Sequence, residues 1–363
     1  MKNQLSHLNK MPKSLRESLL TYAMVVVIFV IIQIMISFGM ISNLMQGLLV
    51  PLCVYVIMAV SLNLTVGILG ELSLGHAGFM CLGAFSGAFF SKIMSDIITI
   101  NAVRFTLAIL IGAAVAGIFG LLIGMPVLRF RGDYLAIVTL AFGEIIKNVI
   151  NALYVGSDDR GFHFSLKDSF ALGLDADGEI LINGAQGIVG TPRDSNFTIG
   201  IILVLITLFI VQNLIHSRDG RAIMSIRDNL IASESIGIHV TKYKLMAFSI
   251  SAALAGVAGV LYSHNLNSVA ATPRNFGYNV SILILVFVVL GGIGNIRGGL
   301  IAAVVLTLLP EMLRDLNQYR MLIYAIVLIV MMLANWSPQI LAWREKYSTK
   351  EFLRKWKSKQ SMK

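Results

Sequence analysis

Apolar residues recur along this chain in long runs, separated by short segments rich in glycine and charge. An α-helix needs about 20 apolar residues to cross the hydrocarbon core of a bilayer. Ten intervals meet or approach that length, although glycine shortens or interrupts several of them. The pattern predicts an all-α polytopic membrane helix bundle with about ten transmembrane helices, some broken or re-entrant. The predicted spans are 20–41, 44–66, 72–91, 103–128, 134–155, 197–216, 244–264, 278–293, 299–315 and 319–337.

The spans group into one membrane domain between two basic ends. The first apolar run, 19–41, is longer than a signal-peptide core and lacks a small-residue cleavage site, so we expect a retained helix. We expect a cytoplasmic basic N-terminus at 1–19, a transmembrane domain at 20–340 and a cytoplasmic basic tail at 341–363. Within the domain we expect an exterior loop at 156–196 and a cytoplasmic segment at 217–243.

The composition supports a membrane protein: 56% of the 363 residues are hydrophobic, only 13% are charged, and the mean hydropathy is +0.80. Roughly a quarter of residues are charged in soluble proteins. The net charge of +10 comes from basic residues at the ends and beside apolar runs, without interleaved aromatic residues, so we expect no nucleic-acid partner. Cys53 and Cys81 both lie inside apolar runs, which predicts no disulfide and no metal site.

The distribution of charge orients the predicted spans, because Lys and Arg collect in short cytoplasmic loops. With a cytoplasmic N-terminus, the basic loops fall on the cytoplasmic side and both termini are cytoplasmic. These loops contain Arg129, Arg131, Arg218, Arg221, Arg227 and Arg297. The connection 156–196 then lies outside and has an acidic excess. It holds Asp158, Asp159, Asp168, Asp175, Asp177, Glu179 and Asp194 against Arg160, Lys167 and Arg193.

A polar island, "GRAIMSIRDNLIASESIGIHVTKYKL", interrupts the apolar pattern at 220–245. Its apolar residues fall at helical spacing on one face, and Asp228 or Asn229 is placed to cap a second short helix that stops at Gly237. A surface helix pair with an apolar stripe is typical of a segment that docks into a groove of a partner protein. A solvated loop on the lipid headgroups is the alternative. The stripe consists of Ile223, Ile226 and Leu230.

Four ordered blocks resemble the M-type permease subunits of branched-chain amino acid ABC importers. They are "GELSLGHAGFMCLGAF" from Gly70, "RGDYLAIVTLAFGEIIKNVI" from Arg131, the polar island with its continuation "MAFSISAALAGVAGVLYS", and "LGGIGNIRGGLIAAV" from Leu290. The resemblance implies a permease of the bacterial plasma (inner) membrane. It also implies a second homologous permease as heterodimer partner, two cytoplasmic ATPase subunits and an extracytoplasmic substrate-binding protein.

The resemblance also implies that an ATPase grips and moves residues 220–237 of the polar island. The chain has no GxxxxGK[ST] loop and no recognisable catalytic or zinc-binding arrangement, so ATP and Mg would be bound by the partner ATPases. We therefore expect a transport subunit that is not itself an enzyme, with no cofactor, catalytic residue or metal ligand of its own. The residues expected to couple to the ATPase are Arg221, Arg227, Asp228, Glu234 and Gly237.

Ionisable residues inside predicted spans are candidates for the translocation path, because an unpaired charge in hydrocarbon is costly. Glu144 and Lys147 share a helix face, so they either pair with each other or line the path. Glu71 and His76 flank a glycine-interrupted segment of the kind that lines substrate paths. A loop position for Glu71 and a packed, hydrogen-bonded His76 are the alternatives. The predicted path residues are Glu71, Ser73, Gly75, His76 and Glu144.

Small residues recur every four positions in two spans, which favours close helix packing. We expect the spans 103–128 and 244–264 to be central to the bundle. The predicted packing residues are Gly112, Ala116, Gly120 and Gly124 in the first, and Ala247, Ser251, Ala255 and Gly259 in the second.

Several functional alternatives remain open at the level of sequence. An ion-coupled secondary transporter would use carboxylates near the bilayer midplane, where Glu144 is the clearest example. A membrane enzyme would need a nucleophile, metal or acid–base set. Among ABC importers, urea, short amides or other amino acids are alternative substrates. The connection 156–196 is expected to dock the binding protein, with an inert insertion as the alternative.

Overall fold

The computed structural model describes residues 13–40, 42–95, 97–130, 132–174, 178–314 and 319–336. The chain divides into two compact units, Met1–Val304 and Val305–Lys363. The predicted tail at 341–363, most of the N-terminal segment and Arg131, Asp175 and Asp177 lie outside the described residues.

Each of the ten predicted spans coincides with an α-helix. In the first unit the helices are α1 (Lys13–Ser37), α2 (Asn43–Asn63), which continues into a π-helical turn (Leu64–Leu69), α3 (His76–Ile93), α4 (Asn101–Val127), α5 (Asp133–Asn151), α6 (Phe197–His216), α7 (Arg218–Asp228), α8 (Leu230–Ser235), α9 (Val240–Ser263), α10 (Pro273–Phe276) and α11 (Tyr278–Gly291). α12 (Ile296–Met312) runs across the unit boundary, and α13 (Arg320–Trp336) lies in the second unit.

Six segments of the described chain are long and apolar enough to cross a membrane. They contain α1, α2 with its π-helical turn, α4, α6, α9, and α10 with α11. The other four predicted spans form α3, α5, α12 and α13, which have 17 to 19 residues. The prediction of an all-α polytopic membrane bundle is confirmed.

The centre of the first unit is formed by α2, α3 and α9. Ile57 and Met58 of α2 are fully buried, and 94% of the most apolar stretch within Asn43–Leu69 is enclosed by protein. For α4 the corresponding share is only 33%, because α4 packs on α9 and α3 while its remaining surface is exposed. The expectation that 103–128 is central therefore differs from the structure. A small-residue stripe reports close packing on one face and does not require that the whole helix be enclosed.

The connection between α5 and α6 contains strands that the apolar pattern did not predict. β1 (Tyr154–Asp158), β2 (Gly161–Ser165) and β3 (Glu179–Asn183) form an antiparallel sheet in the order β2-β1-β3. β4 (Ile188–Val189) pairs with β5 (Ser268–Val269), beyond the end of α9. The predicted span 134–155 merged the end of α5 with the start of β1, since "NALYV" is largely apolar in either conformation.

Three attachments fix this connection to the helices at one end of the unit, here called the sheet end. Lys92 near the end of α3 binds Glu179 at 3.0 Å and donates to the Ile180 carbonyl. Arg104 in the first turn of α4 forms a buried ion pair with Asp194 at 2.9 Å. The β4–β5 pairing adds the third attachment. Removing one partner of a buried pair costs about 3–5 kcal/mol, so the Arg104–Asp194 pair contributes substantially to holding the end of the connection against α4.

Candidate functional site

The polar island forms two short helices, α7 and α8, at the opposite end of the first unit. The Ser217 hydroxyl accepts from the Gly220 N–H at 3.0 Å and caps α7. The Asn229 side chain accepts from the Ala232 N–H at 3.0 Å and caps α8. Gly237 has φ of +85° and ends the segment in the left-handed region. Of the two predicted caps, Asp228 and Asn229, the structure uses Asn229, and the predicted stop at Gly237 is confirmed.

The apolar face of α7 packs on its own chain. Ile223 is fully buried in a cluster with Leu64, Ile68 and Leu69 of the π-helical turn, and Ala247 of α9 belongs to the same cluster. The sequence interpretation assigned this stripe to a partner protein, and the structure shows it docked on the bundle. The hydrophobic period identifies a buried face without saying which surface buries it.

The exposed face of the segment lies mainly on α8. Ile231 and Ile236 are 75% and 76% exposed. The predicted coupling residues Arg221, Arg227, Asp228, Glu234 and Gly237 are exposed as well. Sequence reasoning missed the two isoleucines, although large apolar residues within a charged surface segment are a usable signal for a partner contact.

Arg227 connects α7 to the interrupted helix. One guanidinium nitrogen donates to the Gly67 carbonyl at 2.9 Å, while two others hold Asp228. A Cβ added to Gly70 would lie 2.5 Å from the Arg227 Cγ, so the aliphatic part of the Arg227 side chain fills the space beside Gly70. A π-helical turn frees carbonyls from the regular ladder, and here a long-range arginine takes up one of them.

The interruption itself runs from the π-helical turn to the start of α3. Gly70 adopts φ of +80°, and residues 70–75 form no helix. Glu71 pairs with Lys244 of α9, and both side chains are largely buried. Asn63, just before the turn, accepts from the Gly294 N–H at 3.0 Å, so a second glycine-rich break at 291–294 meets the first.

The predicted path residues lie along this interruption and the adjacent face of α5. The buried Ser73 hydroxyl has no partner within the described chain. Gly75 packs so closely on the Thr139 carbonyl that a Cβ would lie 2.2 Å from it. His76 is buried, and its ring is hydrogen-bonded to the Ser61 hydroxyl at 2.7 Å. This is the packed, hydrogen-bonded arrangement that the sequence left open as the alternative to a path residue.

Glu144 is held by two contacts. It pairs with Lys147, which is one of the two roles expected from the sequence. It also accepts a hydrogen bond from the Tyr278 N–H at 2.7 Å. That N–H is in the first turn of α11, so the carboxylate caps a helix N-terminus. Glu144 therefore ties α5 to α11, a role that no local sequence pattern indicated.

The small-residue stripes pack α9 between its neighbours on different faces. A Cβ on Gly120 of α4 would lie 2.6 Å from the Ala252 Cβ, and Gly256 meets Ala116 and the Gly112 carbonyl. Gly124 lies against Leu245 and Phe248. On other faces of α9, Ser251 donates to the Ser61 carbonyl of α2 and a Cβ on Gly259 would lie 2.0 Å from the Met80 carbonyl of α3. Ala247 and Ala255 are fully buried.

Residues 43–334 match the family described as branched-chain amino acid transport system, permease component. The high-affinity branched-chain amino acid transport system permease protein LivM of Salmonella typhimurium is 34% identical over 295 residues, which cover 79% of this chain and 67% of LivM. LivM of Escherichia coli has the same identity and coverage.

The ribose import permease protein RbsC of Escherichia coli is 28% identical over 323 residues, covering 86% of this chain and 91% of RbsC. No solved structure matches the chain. The family match extends from α2 to α13 and includes the interruption and the α7–α8 segment. This chain is an integral membrane protein that belongs to the permease components of branched-chain amino acid transport systems.

Proposed function

We propose that this chain is the membrane-spanning permease subunit of an ABC importer for branched-chain amino acids. An extracytoplasmic binding protein delivers the substrate, and a second homologous permease completes the path. Two separate cytoplasmic ATPase subunits drive transport by hydrolysing ATP. One observation carries the proposal: the exposed α7–α8 segment is bonded directly to the interrupted helix through Arg227 and Gly67.

The α7–α8 segment is proposed as the contact with the ATPase. Two exposed isoleucines and Glu234 lie on or beside a helix of only six residues, which gives a small surface with an apolar centre and a charged rim. The apolar face of α7 anchors this surface to the bundle, so a displacement of α8 by the ATPase would be passed on to the π-helical turn. Under this proposal α7 and α8 lie on the cytoplasmic side of the membrane, and the sheet lies on the exterior side.

We expect Ile236→Asp and Glu234→Lys to weaken co-purification of the ATPase subunits. Each variant removes or reverses a group on the exposed surface, and losing a central apolar anchor typically costs more than 1 kcal/mol of binding. The Ser235→Ala variant is the matched control, because within the described residues the Ser235 hydroxyl bonds only to the Ile231 carbonyl of the same helix. The fraction of ATPase retained on tagged permease measures the effect, and equal retention in all three variants would contradict the assignment.

The translocation path is proposed to run along residues 70–76, against α5. A zwitterionic substrate needs polar groups for its charges and an apolar wall for its side chain, with weak binding so that it can leave. The orphan Ser73 hydroxyl, the Thr139 hydroxyl that accepts from the Leu74 N–H, and the backbone of residues 70–75 supply polar groups in an otherwise apolar interior.

We expect a cysteine in place of Ser73 to react with a water-soluble maleimide at a rate that changes when ATP drives the complex between states. The substitution conserves size, whereas a cysteine at Gly75 would collide with the Thr139 carbonyl. The wild-type chain is the control, since its two cysteines, Cys53 and Cys81, are fully buried. A Ser73→Cys variant that transports yet stays unreactive in every nucleotide state would show that the translocation path does not run past Ser73.

The connection 156–196 is proposed as the landing surface for the binding protein. Its attachments to α3, α4 and the segment after α9 support this role, because a force on the sheet reaches the helix ends directly. If the connection is a landing surface, shortening it should raise the concentration of loaded binding protein needed for half-maximal uptake. If it is an inert insertion, shortening it should leave uptake unchanged.

The proposed substrate is inferred from the names of two similar proteins, LivM and RbsC. LivM is the more similar of the two relatives, at 34% against 28% identity for RbsC, which favours branched-chain amino acids over ribose. Vesicles containing the permease pair, the ATPases and ATP, supplied with loaded binding protein, test the proposal directly. ATP-dependent uptake of labelled leucine, isoleucine or valine supports it. Uptake of only urea or ribose, or uptake driven by an ion gradient without ATP, overturns it.

A further inference from the structure

The two faces of the three-stranded sheet have different surroundings. Cross-strand partners Val155 and Phe164 share one face with Ser157 and Phe162, as the register requires. On this face Val155 is only 2% exposed, and the Phe162 ring lies 6.1 Å from the ring of Phe89 in α3. This inner face is therefore turned toward the ends of the helices.

The opposite, outer face is covered by another part of the connection. Gly156 pairs with His163 on this face, and a Cβ on Gly156 would lie 2.7 Å from the Leu174 side chain. The segment 170–174 thus folds over the outer face. Its Phe170 side chain is 92% exposed.

Strand β2 carries a row of apolar side chains that the described chain leaves largely uncovered. Phe162 and Phe164 lie on the inner face of β2 and are 51% and 68% exposed, and Leu166, the residue after the end of the strand, is 69% exposed. β2 is an edge strand of the three-stranded sheet, whose order is β2-β1-β3. We call these three residues the overhang. Contiguous exposed apolar groups of this kind mark a surface that another phase or partner covers.

The position of the overhang identifies what covers it. Its inner face contacts α3, a helix of the membrane bundle, within one turn of the end of that helix. In the described chain the outer edge of β2 has no strand partner, and unpaired backbone groups cannot enter hydrocarbon. In segments that lie in the membrane interface, Trp, Phe and Leu side chains form the face that enters the boundary between headgroups and acyl chains. The exposed Lys167 follows directly in sequence and adds a positive charge next to these apolar residues.

We propose that the overhang is seated in the phospholipid headgroup region of the bilayer on the sheet side, anchoring the sheet to the membrane. The lipid surface is its partner, while Phe170 on the outer face stays in water. This inference requires only that the bundle spans a membrane, and it is independent of the transported substrate.

A pair of tryptophan probes tests the seating. Trp336, Trp343 and Trp356 are replaced by Phe, and a single tryptophan is introduced as Phe164→Trp or, as the matched control, Phe170→Trp. The permease complex is reconstituted in nanodiscs whose lipids carry bromine close to the headgroup or deep in the acyl chains. We expect the Phe164→Trp emission to be blue-shifted, quenched more by shallow than by deep bromine and protected from acrylamide. The Phe170→Trp emission should show the reverse: quenching by acrylamide and none by bromolipid.

Two other results would overturn the proposal. Equal acrylamide quenching of both probes without bromolipid quenching would place the overhang in water. Protection of the Phe164→Trp probe from both quenchers would show that a protein subunit covers the overhang. If Phe164→Trp does not yield a folded complex, Phe162→Trp gives the same comparison, because this residue occupies the same face of β2.

Discussion

An Arg227→Ala variant is expected to lose most ATP-driven uptake while its ATPase subunits stay bound and continue to hydrolyse ATP. Arg227 is the residue of α7 that hydrogen-bonds the π-helical turn, through the Gly67 carbonyl. Its removal leaves that carbonyl without its donor and separates the motion of α7–α8 from the interrupted helix. A hydrogen bond to a charged group contributes about 1.5–3 kcal/mol, so we expect a loss in uptake of roughly tenfold or more.

Two further variants make this result specific. Arg227→Lys should retain part of the uptake, since an ammonium replaces the charge but not the planar fork that holds Gly67 and Asp228 together. Arg274→Ala should remain close to wild type, because Arg274 is exposed in α10 and lies outside both α7–α8 and the interrupted helix. Comparable uptake in Arg227→Ala and Arg274→Ala would show that the Gly67 contact does not transmit coupling.

A Gly259→Leu variant is expected to fail to assemble a stable bundle. A Cβ at this position would lie 2.0 Å from the Met80 carbonyl and 2.7 Å from the Ala84 nitrogen, both backbone atoms of α3. The side chain has no rotamer that avoids this collision, so α3 and α9 must separate at the centre of the unit. Overpacking a core costs about 1–3 kcal/mol where neighbours can shift, and the cost is higher against backbone.

The matched control for this variant is Gly47→Ala. Gly47 lies in the first turns of α2, where an added Cβ meets nothing within 4 Å. Alanine in an exposed helix is favoured over glycine by about 0.5–1 kcal/mol, so this variant should be as stable as wild type or slightly more so. Thermal unfolding in detergent, followed by size-exclusion chromatography, compares the two. A Gly259→Leu variant with the Tm of wild type would contradict the close approach of α3 and α9.

The helices were predictable from sequence because membrane spans and caps are local. Length and hydropathy placed ten helices, and Asn229 with Gly237 predicted the two ends of α8. The sheet was not predicted, since β2 has only five residues and is defined by pairing with β1. A single sequence gives no information on which short strands pair.

The links within the site were not predictable for a related reason. Arg227 meets Gly67 across 160 positions, Lys244 meets Glu71 across 173, and the Tyr278 N–H meets Glu144 across 134. Sequence spacing identifies pairs within one helix, such as Glu144 with Lys147, but not partners on different helices. For the same reason the apolar stripe of α7 was correctly recognised as a buried face and assigned to the wrong surface.

The buried ion pairs determine how the bundle responds to a transmembrane voltage. Glu71 with Lys244, Glu144 with Lys147, and Arg104 with Asp194 each join one positive and one negative group. An isolated elementary charge moved across the membrane exchanges about 2.3 kcal/mol with each 100 mV of potential. A pair that moves together carries no net charge through the field, so the electrical work on it is close to zero. These three pairs therefore add almost no charge movement to a rearrangement of their helices.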